Sequence, residues 1–266
     1  MHILVTNDDG IESPGLWTLA AALHDAGLGR VTIIAPEEEH SGTSMSFPPR
    51  RAHELHAVKG LDPAHAAITA FSLNGTPVGC VTAGMLAEAG SRPDVVVSGI
   101  NRGLNSGTNV MLSGTVGAAM VAALWGVPAL AVSLQFVGDN EMPWPTAAWA
   151  AVQVFPLLQT LSTRSTATPL LNVNVPHLGT PQQIRGFRQT TLSTFFYGHF
   201  LSMGESERTE RGGRRFSYAF DRSGLNGFDE QSDDGAVRAG FVSVTPLHPI
   251  SVRGDVDLHA ALAGIG

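Results

Sequence analysis

Apolar residues along this chain follow two rhythms. Short unbroken runs (Ile3-Leu4-Val5, Val31 to Ala35, Val95-Val96-Val97, Ala129 to Val132) are each closed by polar or turn-forming residues. Runs of that length read as strands buried on both faces, the habit of a parallel sheet. Between them apolar residues recur at helical spacing. Pro14-Gly15 leads into one such segment, which Gly27 stops. Asn74-Gly75-Thr76-Pro77 turns into a short second one, and Ser113 caps a third that runs to about Leu124 before Gly126 and Pro128 end it. Strand, helix, strand and polar loop is the opening of a doubly wound α/β fold. Residues 48–70 carry no clear pattern, and His53, His56 and His65 within them are expected at the surface.

The second half is less regular. Residues 146–161 predict an amphipathic helix broken near Pro156, and 169–176 (PLLNVNVP) predict another strand. From Gln189 to Asp229, aromatics alternate with polar residues and glycines, a pattern of extended hairpins. Arg211, Arg214 and Arg215 there read as a solvated turn that offsets nearby glutamates. Ser232-Asp233 reads as a helix cap, 241–247 (FVSVTPL) as a last strand, and 249–266 as a loosely held tail. The expected division is an α/β core over 1–188, an arm over 189–230, and a helix and strand returning to the core within 231–266.

Where the strands end, the chemistry begins. Asn7-Asp8-Asp9-Gly10 follows the first run directly, which places two adjacent carboxylates at a carboxyl edge, where open α/β sheets bind ligands. Such a pair repels itself unless a positive charge intervenes, and a hard divalent cation with oxygen ligands is the economical answer. A tight Asp-Gly turn with Asp9 as a helix cap is the plainer alternative, and these residues alone leave both open. Ser41 follows the second strand and Asn101 follows the third, so Asp8, Asp9, Ser41 and Asn101 are candidates to meet at one edge. Gly117, Ala118 and Ala119 are small enough to let the helix after Ser113 approach the sheet. The start of that helix at Ser113, Gly114 and Thr115 would offer an anion site beside the metal.

Composition trims the options. With 266 residues, 43% hydrophobic, the chain can bury a full core. A net charge of -7 argues against a nucleic-acid duplex as partner, while a phosphorylated small molecule remains compatible through a bound cation. There is no apolar stretch long enough to span a membrane and no signal-peptide pattern at the start. The single cysteine, Cys80, excludes an intrachain disulfide, and cytoplasmic residence is the expectation.

Taken in order, ILVTNDDGIESPGL, AP followed by SGTS, PDVVVSGINRGLNSG, LSGTVGAA with GVPALAVS, LNVNVP and AVRAGFVSVTPL resemble the successive signatures of the SurE family, from residue 1 to about 247. That resemblance implies a metal-dependent 5'/3'-nucleotidase on a Rossmann-like α/β fold with a carboxyl-terminal extension that builds dimers or tetramers. It implies one divalent cation per subunit, Mg2+ or Mn2+, held by Asp8, Asp9, Ser41 and Asn101. Asp8 and Asp9 then carry the catalysis, and Asn105, Ser113, Gly114 and Thr115 take the phosphate or substrate side. The substrate would be a nucleoside 5'- or 3'-monophosphate, with short polyphosphate a further possibility. Gly79, Thr108, Asn109, Leu112 and His40 depart from the residue types usual in the family, which bears on the pocket lip rather than on the ligands.

Other readings fit less well. A haloacid-dehalogenase-type phosphatase separates its two acids by one residue and needs a lysine deeper in the chain, and Lys59 is the only lysine here. A phospho-receiver or other phosphate-binding regulatory module meets the same objection and would fill about half this length. A dinucleotide-dependent oxidoreductase lacks its G-x-G-x-x-G after the first strand.

Overall fold

The computed structural model describes residues 1–47, 50, 52–60, 65–86, 91–138, 140–164, 167–204, 207–220 and 229–249. The expected tail lies outside these residues from 250 onward. In chain order the strands of the main sheet are β1 (His2–Thr6), β2 (Arg30–Pro36), β3 (Leu55–Val58), β4 (Thr69–Leu73), β5 (Val95–Arg102), β6 (Ala129–Leu134), β7 (Leu170–Val175) and β8 (Phe187–Gln189). After β8 come four very short strands away from that sheet, β9 (Leu201–Met203), β10 (Glu207–Arg208), β11 (Arg214–Arg215) and β12 (Tyr218–Phe220). The closing strand β13 (Val242–Pro246) then returns to it. The spatial order is β3-β4-β2-β1-β5-β6-β7-β13-β8. Pairing is parallel from β4 to β7, while β3 runs antiparallel to β4 and β13 antiparallel to β7. β1 lies between β2 and β5, so the order reverses at β1, the place where such sheets open a crevice.

Helices α1 (Pro14–Asp25) and α4 (Trp144–Arg164) cover one face, and α2 (Pro77–Met85) and α3 (Gly114–Leu124) the other. The period-two alternation of a strand divides the core between them. Ile3 and Val5 join the α1/α4 cluster while Leu4 joins the α2/α3 cluster; Val95 and Val97 oppose Val96 in the same way. Each fully buried aliphatic side chain of this kind stabilises the fold by about 1.5–3 kcal/mol. Both faces are therefore apolar, which explains why these strands read as unbroken runs.

Three sequence expectations need correction. α4 runs through Pro156 without a break. Pro156 sits on the exposed side, while Val154, Phe155 and Leu158 are buried on the inner one, and that packing carries the helix across the missing donor. Residues 48–70 contain strand β3 and the start of β4; β3 is a half-exposed edge strand, so its mixed polarity hid it. Of the histidines, His56 is exposed, but His65 meets Asp25 at 3.2 Å and its side chain is only 19% exposed. His53 buries both ring nitrogens and lies against Gly75.

Candidate functional site

The site is built where β1 ends. Asp8 is 3% exposed, and Asp9 beside it is half-buried. The turn is held by Asn7, whose Nδ2 donates to Gly10 O at 2.9 Å. The start of α3 closes over Asp8. Ser113 caps the helix by accepting from Val116 N at 3.1 Å, and the Thr115 hydroxyl donates to Asp8 Oδ1. A Cβ on Gly114 would lie 2.8 Å from Asp8 Cβ and 2.9 Å from Asp8 Oδ2, so only glycine permits this approach. Gly117 plays a related part, since a Cβ there would lie 2.7 Å from the Ser44 carbonyl oxygen, so its absence leaves room for that loop rather than for the sheet.

The remaining candidates arrive from neighbouring strands. After β2, His40 N donates to Asp8 O at 2.7 Å, which brings the Ser41 loop to the end of β1. Ser41 itself is exposed and donates to Glu39 Oε1 at 2.7 Å. At the end of β5, Arg102 N donates to Asp9 Oδ2 at 3.3 Å. Asn101, one residue earlier, turns its Nδ2 to Gly103 O at 2.8 Å, leaving its side-chain oxygen as the atom for a ligand. The Arg102 guanidinium lies over the Phe136 ring, 4.6 Å from its centroid.

Electrostatics sets this pair apart. Burial pushes the Asp8 carboxyl upward, against the Thr115 hydroxyl and the backbone N–H groups of Gly114 and Thr115, which draw it down. Asp9 is pushed up to about 7, first by burial and then by the charge of Asp8, with the Arg102 N–H working the other way. Two carboxylates in one partly dry place cannot both ionise cheaply without a cation. The donors offered are carboxylate, hydroxyl and amide oxygens, and among the described residues no cluster of three His, Cys, Asp or Glu is present. That oxygen-only set suits a hard divalent ion.

Three of the expected substrate residues, Ser113, Thr115 and Asn105, have polar groups engaged elsewhere. The hydroxyls of Ser113 and Thr115 are committed to Val116 N and Asp8, so α3 directs its N-terminal dipole at Asp8 itself. Asn105 is an anchor on β6 and β7. Its Nδ2 donates to Ser133 Oγ at 2.9 Å and its N to Asn174 Oδ1 at 3.0 Å, while its carbonyl accepts from Asn172 Nδ2 at 2.8 Å and Asn174 Nδ2 at 2.9 Å. Thr108 and Asn109, the departures at the expected lip, hold the arm: Thr108 Oγ1 donates to Phe195 O at 2.9 Å, and Asn109 Oδ1 accepts from Tyr197 N at 2.8 Å. A cavity of about 220 Å³ lined by Glu37, Glu38, His40, Leu73, Asn74 and Gly75 opens at the carboxyl ends of β2 and β4.

Sequence reasoning missed a second acid pair. α5 (Asp233–Arg238) begins with Asp233 and Asp234, both buried and both bonded to the loop after β5. The Ser232 cap was legible, and Ser232 Oγ does accept from Gly235 N at 3.2 Å. The long-range partners of the two acids carry no local signal.

Known proteins resemble this chain throughout. The sequence model of the family described as survival protein SurE matches residues 3–199. The 5'-nucleotidase SurE of Syntrophotalea carbinolica is 40% identical over 251 residues, covering 93% of this chain and 91% of that protein. The 5'-nucleotidase SurE of Geobacter metallireducens is 39% identical over 255 residues, with 93% and 91% covered. The crystal structure of the SurE protein from Aquifex aeolicus superposes with a TM-score of 0.76 at 28% identity, covering 100% of this chain and 99% of that one. A parallel sheet whose first strand ends in a buried acid pair, matched along nearly its whole length by these proteins, makes this chain a member of the SurE family.

Proposed function

We propose that the protein hydrolyses nucleoside 5'- or 3'-monophosphates to nucleoside and phosphate, with Asp8 and Asp9 at the reacting centre. The observation that carries this reading is the buried pair at the end of β1 under the start of α3, in a chain whose relatives are named 5'-nucleotidases. Asp8, Asp9, Ser41 and Asn101 would hold one Mg2+ or Mn2+. Bound there, such an ion supplies Lewis-acid polarisation of a phosphoryl oxygen and a more acidic water.

The chain's own groups have separable tasks. Asp8 is fixed by the Thr115 hydroxyl and the α3 dipole, so it serves to orient. Asp9 is held more loosely, through the 3.3 Å contact with Arg102 N, and is the group to accept a proton from the attacking water at its carboxylate oxygen. The water oxygen bonds to phosphorus, the ester P–O bond breaks, and the departing nucleoside oxygen takes its proton from solvent. The cavity beside His40 is suited to the nucleoside, because a carboxylate such as Glu37 at the end of a second strand can accept from ribose hydroxyls. The exposed apolar residues Phe196, Leu201, Met203, Phe216 and Tyr218 support packing of the 189–230 arm on a second copy, giving a dimer or tetramer.

Cytoplasmic residence fits this reading; among the described residues no helix is long and apolar enough to cross a membrane. A receiver-like regulatory module fits poorly, since Lys59 follows edge strand β3, three strands away from β1. The test is phosphate release from a panel of nucleoside 5'- and 3'-monophosphates, with Mn2+ or Mg2+ and with chelator. Metal-dependent turnover is expected; absence of turnover on every nucleotide overturns the reading.

A further inference from the structure

The second acid pair lies outside the acid pair at β1, yet it grips the loop that joins Asn101 to the start of α3. Asp234 Oδ1 accepts from Ser106 Oγ at 2.9 Å, and Asp233 Oδ2 accepts from Gly107 N at 2.8 Å. With Asn105 anchored on β6 and β7, three consecutive residues of this loop are pinned. The other oxygens face the root of the arm: Asp233 Oδ1 accepts from Ser193 N at 2.9 Å, and Asp234 Oδ2 from Ser193 Oγ at 2.6 Å. Loop and arm root also touch directly, for a Cβ on Gly107 would meet Phe195 O and Ser193 Oγ at 2.6 Å. Farther along, Ser44 Oγ and Ser44 N bond to Met111 O and Leu112 O at 2.6 and 3.0 Å, so the same loop braces the Ser41 segment.

We propose that Asp233 and Asp234 are positioning residues for the hydrolytic site and couple it to the arm, by holding Ser106 and Gly107 on one side and Ser193 on the other. Keeping two adjacent carboxylates buried is costly unless every oxygen is used, and each of the four oxygens here accepts a bond across a long stretch of chain. The geometry makes the two acids unequal. Asp233 faces three backbone N–H groups, those of Gly107, Ser193 and Asp234, which cannot turn round to accept. Asp234 faces two hydroxyls, which can. An amide at 233 must therefore oppose an N–H, whereas an amide at 234 finds a hydroxyl that rotates. The catalytic consequence rests on the nucleotidase reading; the mechanical one does not.

The experiment pairs steady-state kinetics with hydrogen exchange on the full-length chain, at a temperature well below each variant's melting. Asp233→Asn is expected to lower kcat/KM by about 10- to 100-fold, the usual cost of losing a supporting partner, with the Mn2+ activation midpoint unchanged. Asp234→Ala should lose a similar amount, and Asp234→Asn should restore most of it. Wild-type kcat and KM in a folded Asp233→Asn protein would overturn the proposal, because a merely structural pair moves melting alone. Ser193→Ala, a mild change on the arm, should raise amide exchange in residues 104–111 as well as in 193–197. A rise confined to 193–197 overturns the coupling even if Asp233→Asn does not fold. Should the wild-type protein turn over no nucleotide, the functional reading fails, and the exchange result still decides the clamp.

Discussion

The hydroxyl of Thr115, at the start of α3, donates to Asp8 Oδ1 at the end of β1, 107 residues earlier in the chain. This contact lowers the proton affinity of Asp8 against the burial that raises it. Thr115→Val should therefore weaken binding of Mn2+, because a metal needs the ionised acid. The expected loss is about 1.5–3 kcal/mol, or roughly 10- to 150-fold in affinity. Thr115→Ser should restore it. Titration calorimetry with Mn2+ is the check; if Mn2+ affinity stays put while inhibition by inorganic phosphate falls, Thr115 serves the substrate and not Asp8.

Gly114 tests the same approach sterically. An alanine there places its Cβ under 3 Å from Asp8, so either the carboxylate or the helix must shift. Alanine also gains up to about 1 kcal/mol of helix propensity over glycine, which offsets part of the strain. Gly114→Ala should thus melt within a few degrees of wild type yet lose about 100-fold in activity, the scale set by misplacing a reacting group by about 1 Å. Near-normal activity would show that Asp8 tolerates displacement.

Much of this was legible from local pattern. Ile3-Leu4-Val5 and Val95-Val96-Val97 read as strands because both sheet faces are apolar, and the Ser113 and Ser232 caps sit where their hydroxyls suggested. The acid pair stands out as a candidate because adjacent carboxylates at a strand end repel each other, although the residues alone leave a turn-and-cap reading open beside it. What could not be read depends on partners far away in sequence. Thr115 is expected on the phosphate side, and its hydroxyl goes to Asp8; Asn105 is expected there through the family resemblance, and Asn172 and Asn174 bond to its carbonyl. Asp233 reads with Ser232 only as a helix cap, and its bonds from Gly107 and Ser193 come through the fold.

The arm makes its own prediction. Leu201, Met203, Phe216 and Tyr218 are 43%, 63%, 47% and 70% exposed, more apolar surface than a lone hairpin keeps in water without cost. Light scattering should report a dimer or tetramer, and charged replacements at Met203 and Tyr218 should shift it toward monomer. A monodisperse wild-type monomer at micromolar concentration would sink the assembly reading.

Asp234 gives a pH dependence with a definite sign. Burial raises its carboxyl above the ordinary range, against the Ser193 and Ser106 hydroxyls, which draw it down, and with a further push from Asp233. A folded-state value above the unfolded one means the stabilising contribution is complete below the ordinary carboxylate range and is lost as pH rises through the folded value. Asp234→Asn cannot lose it. The melting temperature of Asp234→Asn relative to wild type should therefore climb as pH rises above the ordinary carboxylate range. A difference that stays flat, or falls, contradicts the raised value.

The acid pair at β1 decides the rest, and its two members should fail differently. Asp9 sits near pH 7 in its proton affinity because it is buried beside Asp8, so without metal Asp9→Asn removes a repulsion and keeps an oxygen for Arg102 N. That variant should melt at or above wild type in chelator. Asp8→Asn keeps an oxygen for the Thr115 hydroxyl but turns an amide toward the N–H groups of Gly114 and Thr115, so it should melt lower. Both should lose most nucleotidase activity, and in both the rise in melting temperature on adding Mn2+ should shrink, since stabilisation by a ligand follows its affinity for the folded state. If Asp9 were only a turn and cap residue, asparagine would replace it at little cost to activity. Melts with chelator and with Mn2+, run beside phosphate release on both variants, separate these cases. Near-normal turnover in both would remove the metal site and, with it, the catalytic role assigned to this pair.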